Sequence, residues 1–157
     1  MLYFADTRWW EWHRERPDFK KFAGQKCTIE NTGSLCDDPE IFMLHNDNHT
    51  FQGGLSQRNN ALRIGMNSGY QALGLAIAAG AARIVLCGYD MRFDGGKSHW
   101  HGGHPVHTGE GMYRDVYAKF FHELAPQLKV EVLNATPRSA LTCFRRITLE
   151  SLLPTPV

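Results

Sequence analysis

One stretch constrains the fold more than any other. Tyr70 to Ala79 reads YQALGLAIAA, apolar at every position but Gln71, and after Gly80 the chain enters the continuous apolar run Arg83–Cys87, RIVLC. Asn67 or Ser68 supplies the oxygen that caps the start of a helix, and Gly80 suits its end. A helix so apolar is expected to be buried on most sides. A buried helix feeding an apolar strand is one half of a βαβ unit, so the sequence predicts an α/β fold with a short, mostly parallel sheet.

The rest of the chain fits that frame. Met1–Ala5 reads as a buried strand, followed by a helix from Arg8 to about Arg16 capped by Asp6 or Thr7 and stopped by Pro17. Lys26–Glu30 and Ile41–Leu44 are two further strands. A long helix is predicted from Gly111 to Ala125, where Met112, Tyr113, Val116, Tyr117, Phe120, Phe121 and Leu124 recur at helical spacing. Lys129–Leu133 alternates like a last strand, and a short helical turn is expected over Ser139–Phe144. Residues 1–150 read as one domain and 151–157, with two prolines, as a frayed tail.

Composition excludes several classes. The chain has 157 residues, 43% hydrophobic and 21% charged, which is enough to bury a core without staples. A net charge of +1 gives no support to nucleic-acid binding. No apolar run approaches the roughly 20 residues that span a bilayer, and no secretion signal is visible. Cys27, Cys36, Cys87 and Cys143 form no CxxC pair and read as reduced thiols, so a cytoplasmic location is expected.

Ligands of open parallel sheets bind beyond the carboxyl ends of the strands. That rule selects Asp6, Tyr89, Asp90 and Asn134. Asp90 either hydrogen-bonds a ribose or sugar hydroxyl or caps its own loop. The loop that follows carries four histidines between positions 99 and 107, His99, His101, His104 and His107, among several glycines. One of them can serve as a general base or phosphate contact; the alternatives are a zinc or nickel site and a plain surface loop. The spacing matches no zinc finger, and no metal is assigned. Asn67-Ser68-Gly69 offers free N–H groups to a phosphate or carboxylate, or simply caps its helix. Trp9, Trp10 and Trp12 on the first helix suit packing, or stacking on a ligand. Neither GxGxxG, GxxxxGK[ST] nor GxSxG is present.

The order of these motifs resembles a known group. Asn67-Ser68-Gly69-Tyr70, the Ala-rich helix to Gly80, Ile84-Val85-Leu86-Cys87-Gly88-Tyr89-Asp90, the loop with His99 and His104, and Asn134-Ala-Thr-Pro137-Arg-Ser139-Ala140-Leu141 before Phe144 are similar to the bacterial CMP-sialic-acid-dependent sialyltransferases. They also resemble the Rossmann-like group of archaeal 6-hydroxymethylpterin pyrophosphokinases, and short phage and prophage proteins with a Trp-Trp helix near the start. The match covers about residues 67–144. It implies a Rossmann-like three-layer domain and a nucleotide-linked sugar of the CMP type as substrate. It also implies a loop histidine, His104 or His99, as general base on the acceptor hydroxyl. Asn67, Ser68, Gly69, Asp90 and Ser139 become candidate contacts to the donor. Those families begin with a strand followed by Gly-x-Gly-Pro-Ser or similar, which this chain lacks at Met1-Leu2-Tyr3. The chain is therefore expected to be either part of a longer product or a reduced version, one that has lost catalysis and kept only binding or one that completes its site or sheet with a second copy as a homo-oligomer.

Three functions follow as expectations: a nucleotide-sugar transferase; a non-catalytic phage accessory, assembly or binding protein on a Rossmann-like scaffold; and a diphosphotransferase using ATP and Mg²⁺, with Asp37-Asp38 or Asp90 and Asp94 as its carboxylates. No membrane or nucleic-acid partner is expected.

Overall fold

A computed structural model describes residues 1–30, 36–47, 53–97 and 108–152. The chain divides into two compact units, Met1–Ala79 and Gly80–Val157.

The first unit is built on a parallel four-stranded sheet in the order β1 (Leu2–Tyr3), β2 (Lys26–Ile29), β3 (Ile41–Asn46), β4 (Ala61–Leu62). Pairing sets Lys26–Ile29 against Ile41–Leu44, so residues of alternate parity share a face. On one face Cys27, Ile29, Leu44 and Leu62 pack on Leu75 of α3 (Ser68–Ala78). On the other, Phe4 and Ile41 pack on Trp10 of α1 (Thr7–His13) and Phe19 of α2 (Pro17–Lys20). Helices on both faces of a parallel sheet are the α/β layering expected from the sequence.

Local chemistry sets the helix boundaries. Asp6 accepts the N–H of Arg8 and starts α1, which ends at His13 rather than near Arg16. Pro17 does not merely stop it: with φ fixed and no N–H to satisfy, it opens α2 at the first position. Trp10 is buried while Trp12 is exposed, so the tryptophan cluster faces two ways. In α3, Asn67 is the cap, its side chain accepting the N–H of Tyr70. As expected, α3 is covered along most of its length: Tyr70–Ile77 are all buried or half-buried, and only its ends, at Ser68 and Ala78, are exposed; Gln71, the one polar residue of the run, is buried too. Its amide donates to the carbonyl of Ile64 and its oxygen accepts from the hydroxyl of Tyr3, which meets the demands of a buried polar group. Burial pushes the Tyr3 phenol up in turn.

Glu30, just past β2, does for its neighbour what a backbone carbonyl would do. Its carboxylate accepts the N–H of Asn46 at 2.9 Å and lies 2.6 Å from Nδ1 of His45. The Asn46 bond first, then His45, hold its carboxyl below the ordinary 4.5. A lowered folded value means the stabilisation is complete above the ordinary value and fades as pH falls through the folded one. Glu30→Gln is therefore expected to lower the melting temperature near neutral pH, and the difference from wild type is expected to shrink steadily as the pH falls below the ordinary carboxylate value. A difference that persists unchanged in acid would refute this.

The second unit carries the parallel sheet β5 (Arg83–Leu86), β6 (Glu131–Asn134), β7 (Arg145–Arg146). Glu131 bridges the outer strands, meeting Arg83 at 2.7 Å and Arg145 at 2.9 Å. The long helix predicted from Gly111 begins as α4 (Glu110–Met112), passes through a π-turn over Tyr113–Tyr117 and continues as α5 (Ala118–Leu124). Phe121 and Leu124 of α5 are fully buried.

The expected helical turn over Ser139–Phe144 is not formed; the segment is a run of turns. The groups a helix needs are taken elsewhere. The N–H of Ala140 donates to the carbonyl of Asp90, that of Leu141 to the hydroxyl of Ser139, and the carbonyl of Leu141 accepts from the Asn134 amide. No helix among the described residues is long and apolar enough to cross a membrane.

Candidate functional site at the strand ends

In the second unit the carboxyl ends of β5 and β6 are tied into one surface. Beyond β5 come Gly88, at φ +75°, then Tyr89 and Asp90, then Met91 at φ +49°. Left-handed backbone at a methionine is uncommon and is held here by long-range bonds. The N–H of Tyr89 donates to Thr136 Oγ1 at 2.9 Å, and the hydroxyl of Ser139 donates back to the Tyr89 carbonyl. Asp90 takes the Ala140 N–H on its own carbonyl at 2.7 Å. Every one of these partners comes from the loop after β6.

That loop is itself organised by a buried asparagine. Asn134, fully buried, accepts the Thr136 N–H and donates to the Leu141 carbonyl. Arg146 of β7 closes the outside, its guanidinium donating to the carbonyls of Pro137 and Ser139. Arg138 reaches Asp94 at 2.6 Å. Asp94 and Lys97 pair in a tight antiparallel turn around Gly95 and Gly96, both at positive φ, as a two-residue hairpin requires. Tyr89 lies edge-on to Phe121, ring centroids 5.9 Å apart, and burial pushes its phenol up to about 12.

The outcome for the residues singled out by sequence is mixed. Asp90 and Ser139 are brought together. Asp90 is exposed beyond β5, while Ser139 is buried and its hydroxyl already donates to Tyr89 and accepts from Leu141. Asn67, Ser68 and Gly69 belong to the first unit, at the start of α3. They follow Gly65 and Met66, both left-handed at φ +52° and +57°, so the approach to this helix is also a strained turn. His99 and His104 lie outside the described residues. The π-turn over Tyr113–Tyr117 follows the same loop, and such turns recur at functional sites.

Sequence reasoning missed Arg138, Arg146 and the part Thr136 plays. The bonds from Thr136, Ser139 and Arg138 to the β5 loop span 44 to 50 residues, and no local pattern encodes them. Among the described residues no group of three His, Cys, Asp or Glu side chains is gathered to hold a metal ion. Asp37 and Asp38 lie in the first unit, Asp90 and Asp94 in the second. Comparison with protein-family models, curated proteins and solved structures finds no match to this chain.

Proposed function

We propose that this protein binds a nucleotide-linked sugar of the CMP type and transfers the sugar to an acceptor hydroxyl. The observation that carries the reading is Asp90: an exposed carboxylate beyond a parallel strand, on backbone fixed from both sides by the loop after β6. A carboxylate so placed accepts hydrogen bonds from ribose or sugar hydroxyls, the position at which α/β sheets take their ligands. His104 or His99 removes the proton of the acceptor hydroxyl. The acceptor oxygen then bonds to the anomeric carbon as the bond to the nucleotide phosphate breaks, and the electron pair leaves with CMP. The protein acts as a homo-oligomer.

A second reading, a non-catalytic phage accessory or binding protein, has its own support. Asn67 and Ser139, two of the candidate donor contacts, already spend their side chains on capping and loop closure.

Thermal unfolding separates the two. With CMP, CMP-sialic acid, UDP-sugars and ATP with Mg²⁺ each at about a hundred times a plausible dissociation constant, binding adds roughly 2.7 kcal/mol, or on the order of 5–10 °C for a chain of this size. A selective shift with CMP and CMP-sialic acid, lost in Asp90→Asn, is expected. No shift with any nucleotide favours the scaffold, and a shift with ATP and Mg²⁺ alone favours a diphosphotransferase.

A further inference from the structure

The first unit carries a second feature, at the opposite ends of its strands. Lys26 opens β2, beside Leu2 and Ile41, and is only 7% exposed. Lysine is almost never so buried unless its charge is paired. Among the described residues no carboxylate pairs with it; its ammonium lies over the ring of Phe19, 5.1 Å from the centroid. A ring face compensates a desolvated cation only in part.

Lys26 lines an open cavity of about 450 Å³ whose wall also holds Trp10, Phe19, Asp37, Asp38 and Glu40, and a neighbouring one of about 340 Å³ that shares Lys26 and Glu40. The other charges on the wall are matched among themselves: Glu15 meets Lys20 at 2.6 Å and Arg14 at 4.0 Å. Asp37, Asp38 and Glu40 form no ion pair among the described residues. Among the described residues the unit thus presents a buried cation with no carboxylate partner and three carboxylates with no ion-pair partner around one space, Asp38 accepting only the backbone N–H of Glu40.

The complement of that wall is a molecule bearing both charges. A simple anion satisfies Lys26 and is repelled by three carboxylates; a simple cation does the reverse. We infer that this cavity is a binding site for a small zwitterion of the α-amino-acid class, its carboxylate on Lys26, its ammonium toward Asp37, Asp38 and Glu40, and an apolar or aromatic side chain against Trp10 and Phe19. The site is independent of the nucleotide-sugar reading, for it uses none of the same residues.

Three probes of nearly the same shape test it by isothermal titration calorimetry on the full chain near neutral pH: L-phenylalanine, 3-phenylpropionate without the ammonium, and phenethylamine without the carboxylate. L-Phenylalanine is expected to bind, and each single-charge analogue to bind at least about tenfold more weakly, the usual loss for one charged hydrogen bond. Lys26→Met, which keeps the apolar stem and removes the charge, is expected to weaken L-phenylalanine by a similar factor. So is the double variant Asp37→Asn with Glu40→Gln, two exposed positions whose replacement leaves the core untouched and so gives a reading should Lys26→Met fail to fold. No binding of L-phenylalanine, equal binding of the three probes, or unchanged affinity in a folded variant would each overturn the assignment.

Discussion

Phe121→Ala is expected to cost about 3–5 kcal/mol of stability, as for other large aromatic side chains deleted from a core. Phe121 has no exposed surface and meets two rings edge-on, Tyr89 at 5.9 Å and Phe144 at 6.4 Å. Its loss leaves a void that the sheet cannot close, because β5 and β6 are held in register by their own ladder. Phe121→Leu, which fills most of the space, is expected to cost far less. Denaturant unfolding of both variants checks the pair. The consequence reaches the candidate site, since Tyr89 is the residue to which Thr136 and Ser139 are bonded. A cost below about 1 kcal/mol for the alanine variant would contradict the packing described for this unit.

Gly65→Ala is the second large effect, and its origin is steric. Gly65 sits at φ +52°, and a Cβ there would lie 2.2 Å from Cδ1 of Tyr70. The ring cannot swing aside cheaply: Tyr70 is 2% exposed, and its hydroxyl bonds both the N–H and the carbonyl of Gly54. Left-handed backbone at alanine costs about 1–2 kcal/mol, and forced repacking adds about 1–3 kcal/mol. Gly88→Ala is the matched control. Its φ is +75°, yet nothing lies within 4 Å of the added Cβ. It is expected to show the backbone part alone, about 1–2 kcal/mol. Equal losses at the two positions, read by thermal unfolding, would show that the Tyr70 contact carries no weight.

How far the sequence reveals this fold depends on the length of each signal. The run Tyr70–Ala79 and the strand after it are long enough for their period to be read, and with them the parallel α/β layering. The strands Ala61–Leu62 and Arg145–Arg146 are two residues each and have no period to detect. Gln71 is the one polar residue of that apolar run. It is buried because Tyr3 and Ile64 supply its partners, one of them 68 residues away. Ser139–Phe144 has a helix-like composition, but Asn134 and Asp90 capture its backbone groups from outside the segment.

The same distinction holds for the candidate site. The position of Asp90 follows from a rule about strand ends, and the strand was legible. The clamp that fixes its backbone is made by Thr136 and Ser139 on Tyr89, 47 and 50 residues away, and by the N–H of Ala140 on the carbonyl of Asp90 itself. The histidines between positions 98 and 107 are visible as a cluster in the sequence alone and lie outside the described residues, so the role proposed for one of them rests on chemistry rather than on position.

Turnover of CMP-sialic acid in the presence of a sugar acceptor, compared across wild type, His99→Ala and His104→Ala, tests the transferase account most directly. Wild type is expected to release CMP, and one of the two variants to lose about 10²–10⁴-fold in rate, the contribution of a positioned general base, while retaining the wild-type melting temperature. Undiminished turnover in both folded variants, or no turnover by wild type with any acceptor, would contradict it.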